Sequence, residues 1–328
     1  MENLIISLNV VLPLFFSIAL GYILKRLGMY DDVTLKTLNK LVFKVFLPIY
    51  LFRSIYSTDL SAAFDLKVII FAVVGLLIWF LLLMFIMPLF EKSNAKCGVM
   101  VQAMFRSNFV LFGLPVAISL CGEDKIGTTS LLMGIIIPIY NILAVITLEV
   151  FRGGKPSVKK IVTGIVTNPL IIASVLGVGF YLLKVDLPYA IEKTVIDFGK
   201  VATPLALMAL GGEFKFSKVK GDIKQLMVSV AGKLVISPLF MVTAGILLGF
   251  RNEILVPILL MSGAPTAVSS YTMAQQMGGD GELAGEIVVF TTAMSIVSIF
   301  LWVFVLKQFR FLYKGIIINH NKNRANLH

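Results

Sequence analysis

The apolar stretches of this 328-residue chain contain no histidine. His320 and His328 both lie in the polar C-terminal tail. Histidine-based acid–base chemistry inside those stretches is therefore excluded, and with it a serine-type intramembrane enzyme. Cysteine is equally scarce. Cys97 and Cys121 sit beside or inside apolar segments and imply neither a disulfide framework nor a metal site. Charged residues make up only 14% of the chain, against about 25% in a soluble domain. That leaves too little polar surface to cover a globule of this size in water, so the chain belongs in a bilayer. Acidic residues are missing from the centres of the apolar runs: Glu149, Asp197, Glu213, Asp280, Glu282 and Glu286 all lie toward their ends. A proton or sodium pump commonly keeps a carboxylate at mid-membrane, so this absence argues against an ion antiporter. The run Met277-Gly278-Gly279-Asp280 lacks the first glycine of an aspartyl-type Gly-x-Gly-Asp motif, and no partner aspartate appears. No catalytic residue, cofactor or metal is expected. The start, Met1-Glu2-Asn3, carries no positive charge. It does not read as a cleavable signal, and the first apolar run is expected to stay as a spanning helix.

What is present is hydrocarbon, at 58% apolar residues, with a net charge of +11. The cations sit in loops between apolar runs and form no basic domain, so nucleic acid is not an expected partner. The expected partner is the lipid bilayer, in a multi-pass cell-membrane protein. Ten runs approach the roughly 20 residues that a spanning helix needs: 4–24, 38–56, 66–90, 96–121, 126–150, 161–183, 190–212, 222–249, 252–278 and 283–311. The fold class is thus an all-α polytopic membrane protein. A polar connector at 151–160 divides it into five helices over 1–150 and five over 161–313, followed by a polar tail at 314–328. Thirteen loop cations fall in odd-numbered connections and five in even-numbered ones. That asymmetry puts the odd loops in the cytoplasm and both termini outside. The tail cations oppose this assignment; the loops, whose early segments usually dominate, decide it.

The two halves repeat. Pro13, followed by Leu20-Gly21, returns as Pro169, followed by Leu176-Gly177. Lys44, Pro48 and Leu51 return as Lys200, Pro204 and Leu207. Pro88-Leu89-Phe90 returns as Pro238-Leu239-Phe240, and Gly113, Pro115 and Ala117 return as Gly263, Pro265 and Ala267. Five helices is an odd number, so the second copy enters the bilayer from the opposite side, as in carriers built from inverted repeats.

Candidate binding residues gather in the fourth helix of each copy. Gly113 with Pro115, and Gly263 with Pro265, are expected to unwind these helices at mid-membrane. Unwinding leaves peptide N–H groups at a half-helix start, which suits an anionic group. Asn108, Asn141 and Ser269 lie nearby and offer donors and acceptors to a small polar solute. Arg106 and Lys233 are cations inside apolar runs, where they are costly and face a cavity or a partner. Arg106 is the candidate charge for an anion. Interhelical packing is the competing role for each of these residues taken singly.

At this point the chain resembles the auxin efflux carrier family, especially bacterial malate/malonate permease-like members. The resemblance rests on Leu47-Pro48-Ile49-Tyr50-Leu51-Phe52, the stretch from Asn108 to Pro115, Pro138-Ile139-Tyr140-Asn141, Gly263 to Val268, and Ala274 to Asp280. It implies ten helices with crossed, broken fourth and ninth members. Helices one, two, six and seven would form a scaffold and the others a moving transport unit, working by elevator-like or rocking motion. It implies small organic anions as substrates, dicarboxylates in bacteria and auxin in plants. The long middle loop of many plant members is missing, which favours a microbial metabolite carrier. A homodimer across the first, second, sixth and seventh helices is implied by the same resemblance alone. An uncoupled carrier and a sodium- or proton-coupled symporter or antiporter of similar topology both fit; the coupling ion is left open.

Overall fold

The computed structural model describes residues 2–57, 65–122, 125–153, 158–215, 219 and 221–312. The expected tail at 314–328 and positions 154–157 of the connector lie outside the described residues. Apart from one isolated bridge, every regular element among them is helical.

Each of the ten apolar runs falls on helix. The first is α1 (Glu2–Arg26). The second is α2 (Asp32–Leu41), which continues through a π turn (Val42–Phe46) into α3 (Leu47–Tyr56). The third is α4 (Leu66–Phe90). The fourth is in two pieces, α5 (Asn94–Phe105) and, after a π turn (Phe109–Gly113), α6 (Leu114–Cys121). The fifth is α7 (Gly127–Val150). The sixth is also interrupted, as α8 (Val158–Thr167) and α9 (Pro169–Leu182). Next come α10 (Tyr189–Glu213) and α11 (Ile223–Ala231), which passes through a π turn (Gly232–Ile236) into α12 (Ser237–Leu247). The ninth run is split into α13 (Asn252–Gly263) and α14 (Val268–Met277), and α15 (Gly281–Gln308) completes the set. Among the described residues, five runs are long and apolar enough to cross a membrane as single helices: Leu66–Phe90, Gly127–Val150, Tyr189–Glu213, Ile223–Leu247 and Gly281–Gln308.

Proline explains the π turns. Its ring displaces the carbonyl four residues earlier and its nitrogen has no hydrogen. Just before Pro48, Pro115 and Pro238, the N–H of Leu47, Leu114 and Ser237 reaches back five residues, to the carbonyls of Val42, Phe109 and Gly232. One wide turn absorbs the ring without ending the helix. At Pro169 the solution differs: Asn168 is a true N-cap, its side chain accepting from the Leu170 N–H at 2.9 Å.

Helix packing follows the small residues. A Cβ on Gly21 would lie 2.0 Å from the Met208 carbonyl oxygen, and one on Gly211 would lie 1.9 Å from that of Ile18. The backbones of α1 and α10 therefore touch, which only glycine allows. Gly177, the counterpart of Gly21, brings α9 against Phe52 and Ile55 of α3 in the same manner. These four helices pack on one another, α1 on α10 and α3 on both α9 and α10. The outer face of α4 carries Leu81, Phe85 and Leu89 at 51%, 75% and 76% exposure. Such a face is stable against lipid and not against water. The core lies around α5, α7 and α13. Every position from Cys97 to Phe105 and from Leu255 to Gly263 is buried.

Candidate functional site

The two interrupted helices are joined at their breaks. After Phe105 the chain is extended at Arg106, and after Gly263 it is extended at Ala264. The two extended stretches run antiparallel and pair at Ser107 and Thr266. The Asn108 N–H donates to the Pro265 carbonyl at 2.7 Å, and the Ala267 N–H donates to the Arg106 carbonyl at 3.3 Å. Each break thus satisfies backbone groups that the other has released, far from water.

Side chains complete the joint. The Thr266 hydroxyl donates to the Ala103 carbonyl at 3.1 Å, near the end of α5. The Ser107 hydroxyl donates to the Met261 carbonyl at 2.5 Å, near the end of α13. The Tyr140 hydroxyl donates to the same Met261 carbonyl at 2.6 Å. Thr291 of α15 accepts from the Thr266 N–H at 3.1 Å. Lys233, fully buried on the π turn of the eighth run, donates to the Ser107 hydroxyl.

Arg106 is 3% exposed. Its Nη2 donates to Asn141 Oδ1 at 2.6 Å, and Nη1 lies against the Met273 sulfur. Asn141 Nδ2 donates in turn to Ser174 of α9 at 3.2 Å. Among the described residues, neither Arg106 nor Lys233 forms an ion pair with a carboxylate. Arg106 caps the C-terminus of α5, whose carbonyl end favours positive charge.

Beside Arg106 is a cavity of about 50 Å³. It is lined by Arg106, Asn108, Asn141 and Ser269, four of the eight residues expected from the sequence, together with Tyr50, Tyr140 and Thr203. Phe109 and Val110 of the π turn after one break, and Val268 of the first turn after the other, also line it. Half-helix starts carry orphan N–H groups. Asn108 Nδ2 and the Tyr50 hydroxyl are buried without a hydrogen-bond partner among the described residues. The cavity is therefore rich in donors, which suits an anion. It shares Tyr50, Val110, Leu111 and Thr203 with a larger cavity of about 730 Å³ that also holds Arg53 and Lys200.

The other four expected residues stand behind the cavity wall. The first break falls at 106–108, before Gly113 and Pro115, because the π turn accommodates Pro115 within the helix. Gly113 serves packing: a Cβ there would meet Phe109 Cδ2 at 2.7 Å. Gly263 ends α13, its Cβ position 3.1 Å from Pro238. Pro265 lies within its break, as expected, and offers its carbonyl to Asn108. Tyr50 and Thr203 were not singled out from the sequence. Only the fold brings helices two and seven to the joint.

The family model described as "membrane transport protein" matches the chain over residues 6–161 and 155–303. A protein of Methanothermobacter thermautotrophicus, named only as an uncharacterised transporter, is 28% identical over 92% of this chain and 98% of its own length. A Rhizobium meliloti protein, provisionally named a malonate transporter, is 24% identical over 89% of this chain and 93% of its own. An uncharacterised transporter of Methanocaldococcus jannaschii is 23% identical over 92% and 99%.

Proposed function

The chain belongs to the membrane transport protein family, and from that premise we propose that it is a secondary carrier for small organic anions such as dicarboxylates. A substrate carboxylate binds at the paired breaks. Arg106 supplies the charge, Asn108 and Asn141 orient the ligand, and Ser269 with the two half-helix starts supplies further donors. Gly113, Pro115, Gly263 and Pro265 shape the joint. The observation that carries this reading is the donor-rich cavity beside a buried arginine that has no carboxylate partner among the described residues. The provisional name of the Rhizobium meliloti relative supports a dicarboxylate.

In this reading the ten runs span the bilayer as two inverted sets of five, with odd-numbered loops in the cytoplasm and both termini outside. The shared order of elements in the two halves and the antiparallel joint support that arrangement. The group formed by α1, α2–α3, α8–α9 and α10 is the scaffold and homodimer face, and the remaining helices move against it in alternating access. The cavity of about 730 Å³ then gives access to the joint from one side. The test is uptake of radiolabelled malonate by proteoliposomes. Asn108→Ala inserts normally and loses uptake; normal uptake by that variant contradicts the assignment. Coupling to sodium or protons is the alternative driving mode.

A further inference from the structure

Among the described residues, Glu286 is a buried charged group both of whose carboxyl oxygens lack a hydrogen-bond partner. It lies in the second turn of α15 and is 2% exposed. The groups around it are already committed. Asp280 caps α15, accepting from the Leu283 N–H at 3.0 Å. Glu282 pairs with Lys215 at 3.2 Å, and Asp222, ahead of α11, pairs with Lys96 of α5. Glu213 of α10 accepts from Tyr271 of α14 at 2.7 Å and from Gln275. At the end of α1, Lys25 pairs with Asp32 and Arg26 donates to Tyr22. Lys233 of the π turn donates to Ser107. Glu253 of α13 is at the far end of α15, where the Asn252 N–H meets the Phe311 carbonyl.

A carboxylate buried with neither a counterion nor a donor is strongly disfavoured, and it resolves this by taking up a cation. The cavity beside Glu286 measures only about 20 Å³, close to the room of a single water. A metal ion needs several oxygen ligands, and the described residues contain no group of three acidic, histidine or cysteine side chains that could hold one. A proton needs no further ligand. We propose that Glu286 is a proton-binding site and that its proton is coupled to the carrier's movement.

Position gives the coupling its physical basis. Beside Glu286, a Cβ on Gly285 would meet the tip of the Leu210 side chain of α10 at 2.6 Å, and Glu286 lines the small cavity together with Leu210 and Glu213 of α10 and Tyr271 of α14. Glu286 therefore faces the contact between α10 and α14–α15, which slides if the two helix groups move as proposed above; the coupling rests on that reading. A neutral carboxyl group crosses an apolar contact at far lower cost than a carboxylate. The small cavity shares Glu213, Phe214, Lys215 and Glu282 with one of about 700 Å³ that reaches the cation-bearing loops after α1 and α10. When water in the larger cavity gains access, the Glu286 O–H bond breaks and water takes the proton. The carboxylate that remains shares the small cavity with Lys215 until it is reprotonated.

Two measurements on the full-length protein test this. Infrared spectra at neutral pH are expected to show a protonated-carboxyl stretching band that Glu286→Gln loses and Glu286→Asp shifts. In proteoliposomes containing a pH-sensitive dye, malonate movement by the wild type is expected to change the internal pH. Glu286→Gln is expected to exchange malonate with no pH change, and Glu286→Asp to retain it. A band that persists in Glu286→Gln, or proton movement by that variant equal to wild type, overturns the proposal. If no carboxylate crosses in either protein, the carrier reading fails and the coupling with it, and the infrared band alone decides whether Glu286 holds a proton.

Discussion

Ser107 and Thr266 cap each other's helices. They face one another across the antiparallel joint, and each sends its hydroxyl to a carbonyl two residues before the end of the opposite half-helix, Met261 for Ser107 and Ala103 for Thr266. Each interruption is thus repaired by the other. This reciprocity lets irregular backbone persist in the buried centre of the molecule.

Removing one hydroxyl leaves a buried carbonyl short of a donor. Thr266→Ala is expected to destabilise the protein by about 1–3 kcal/mol, read as a lower thermal midpoint in detergent, with Thr266→Ser recovering most of it. Ser107→Ala leaves the Met261 carbonyl its Tyr140 donor but strips the buried Lys233 of its acceptor, and it is expected to lower the midpoint as well.

Arg106 binds Asn141 through one arm of its fork and leaves the rest toward the Met273 side and the cavity. Lysine keeps the charge and loses the fork. Arg106→Lys is expected to raise the KM for malonate by about tenfold or more, the equivalent of about 1.4 kcal/mol or more, while membrane insertion is unchanged. An unchanged KM would place the anion elsewhere.

Asn108 Nδ2 is a buried donor with no protein partner. Asn108→Asp keeps the shape, replaces that donor with an acceptor and brings negative charge to the anion site. It is expected to abolish uptake more completely than Asn108→Ala, as measured by initial rates in proteoliposomes.

The α1–α10 contact tolerates no side chain at Gly211, since a Cβ there would overlap the Ile18 carbonyl at 1.9 Å. Gly211→Ala is expected to separate these helices and to destabilise the protein by about 1–3 kcal/mol. Its lower thermal midpoint should appear whether or not substrate is present.

The helical runs were legible because apolar length alone defines them, and their ends agree with the structure to within a few residues at most positions. The joint was only partly legible. Pro265 marks its break directly, whereas Pro115 does not, because a π turn absorbs it and the chain opens at 106–108 instead. A proline shows that the ladder must adjust and does not say how. The interruption at Asn168 was not expected; an Asn-Pro pair inside an apolar run was its signal. In the sequence Glu286 is simply one of several acidic residues near the ends of apolar runs. What makes it unusual is burial without a partner among the described residues, which depends on how α10, α14 and α15 come together and cannot be read from position along the chain.

The most direct test of the anion site is the thermal midpoint of purified protein titrated with malonate and related mono- and dicarboxylates, for wild type and Arg106→Gln side by side. A ligand that binds the folded form raises its apparent stability. The account predicts a concentration-dependent rise for wild type and none for Arg106→Gln. An equal rise in both, or no rise in wild type with any carboxylate, contradicts it.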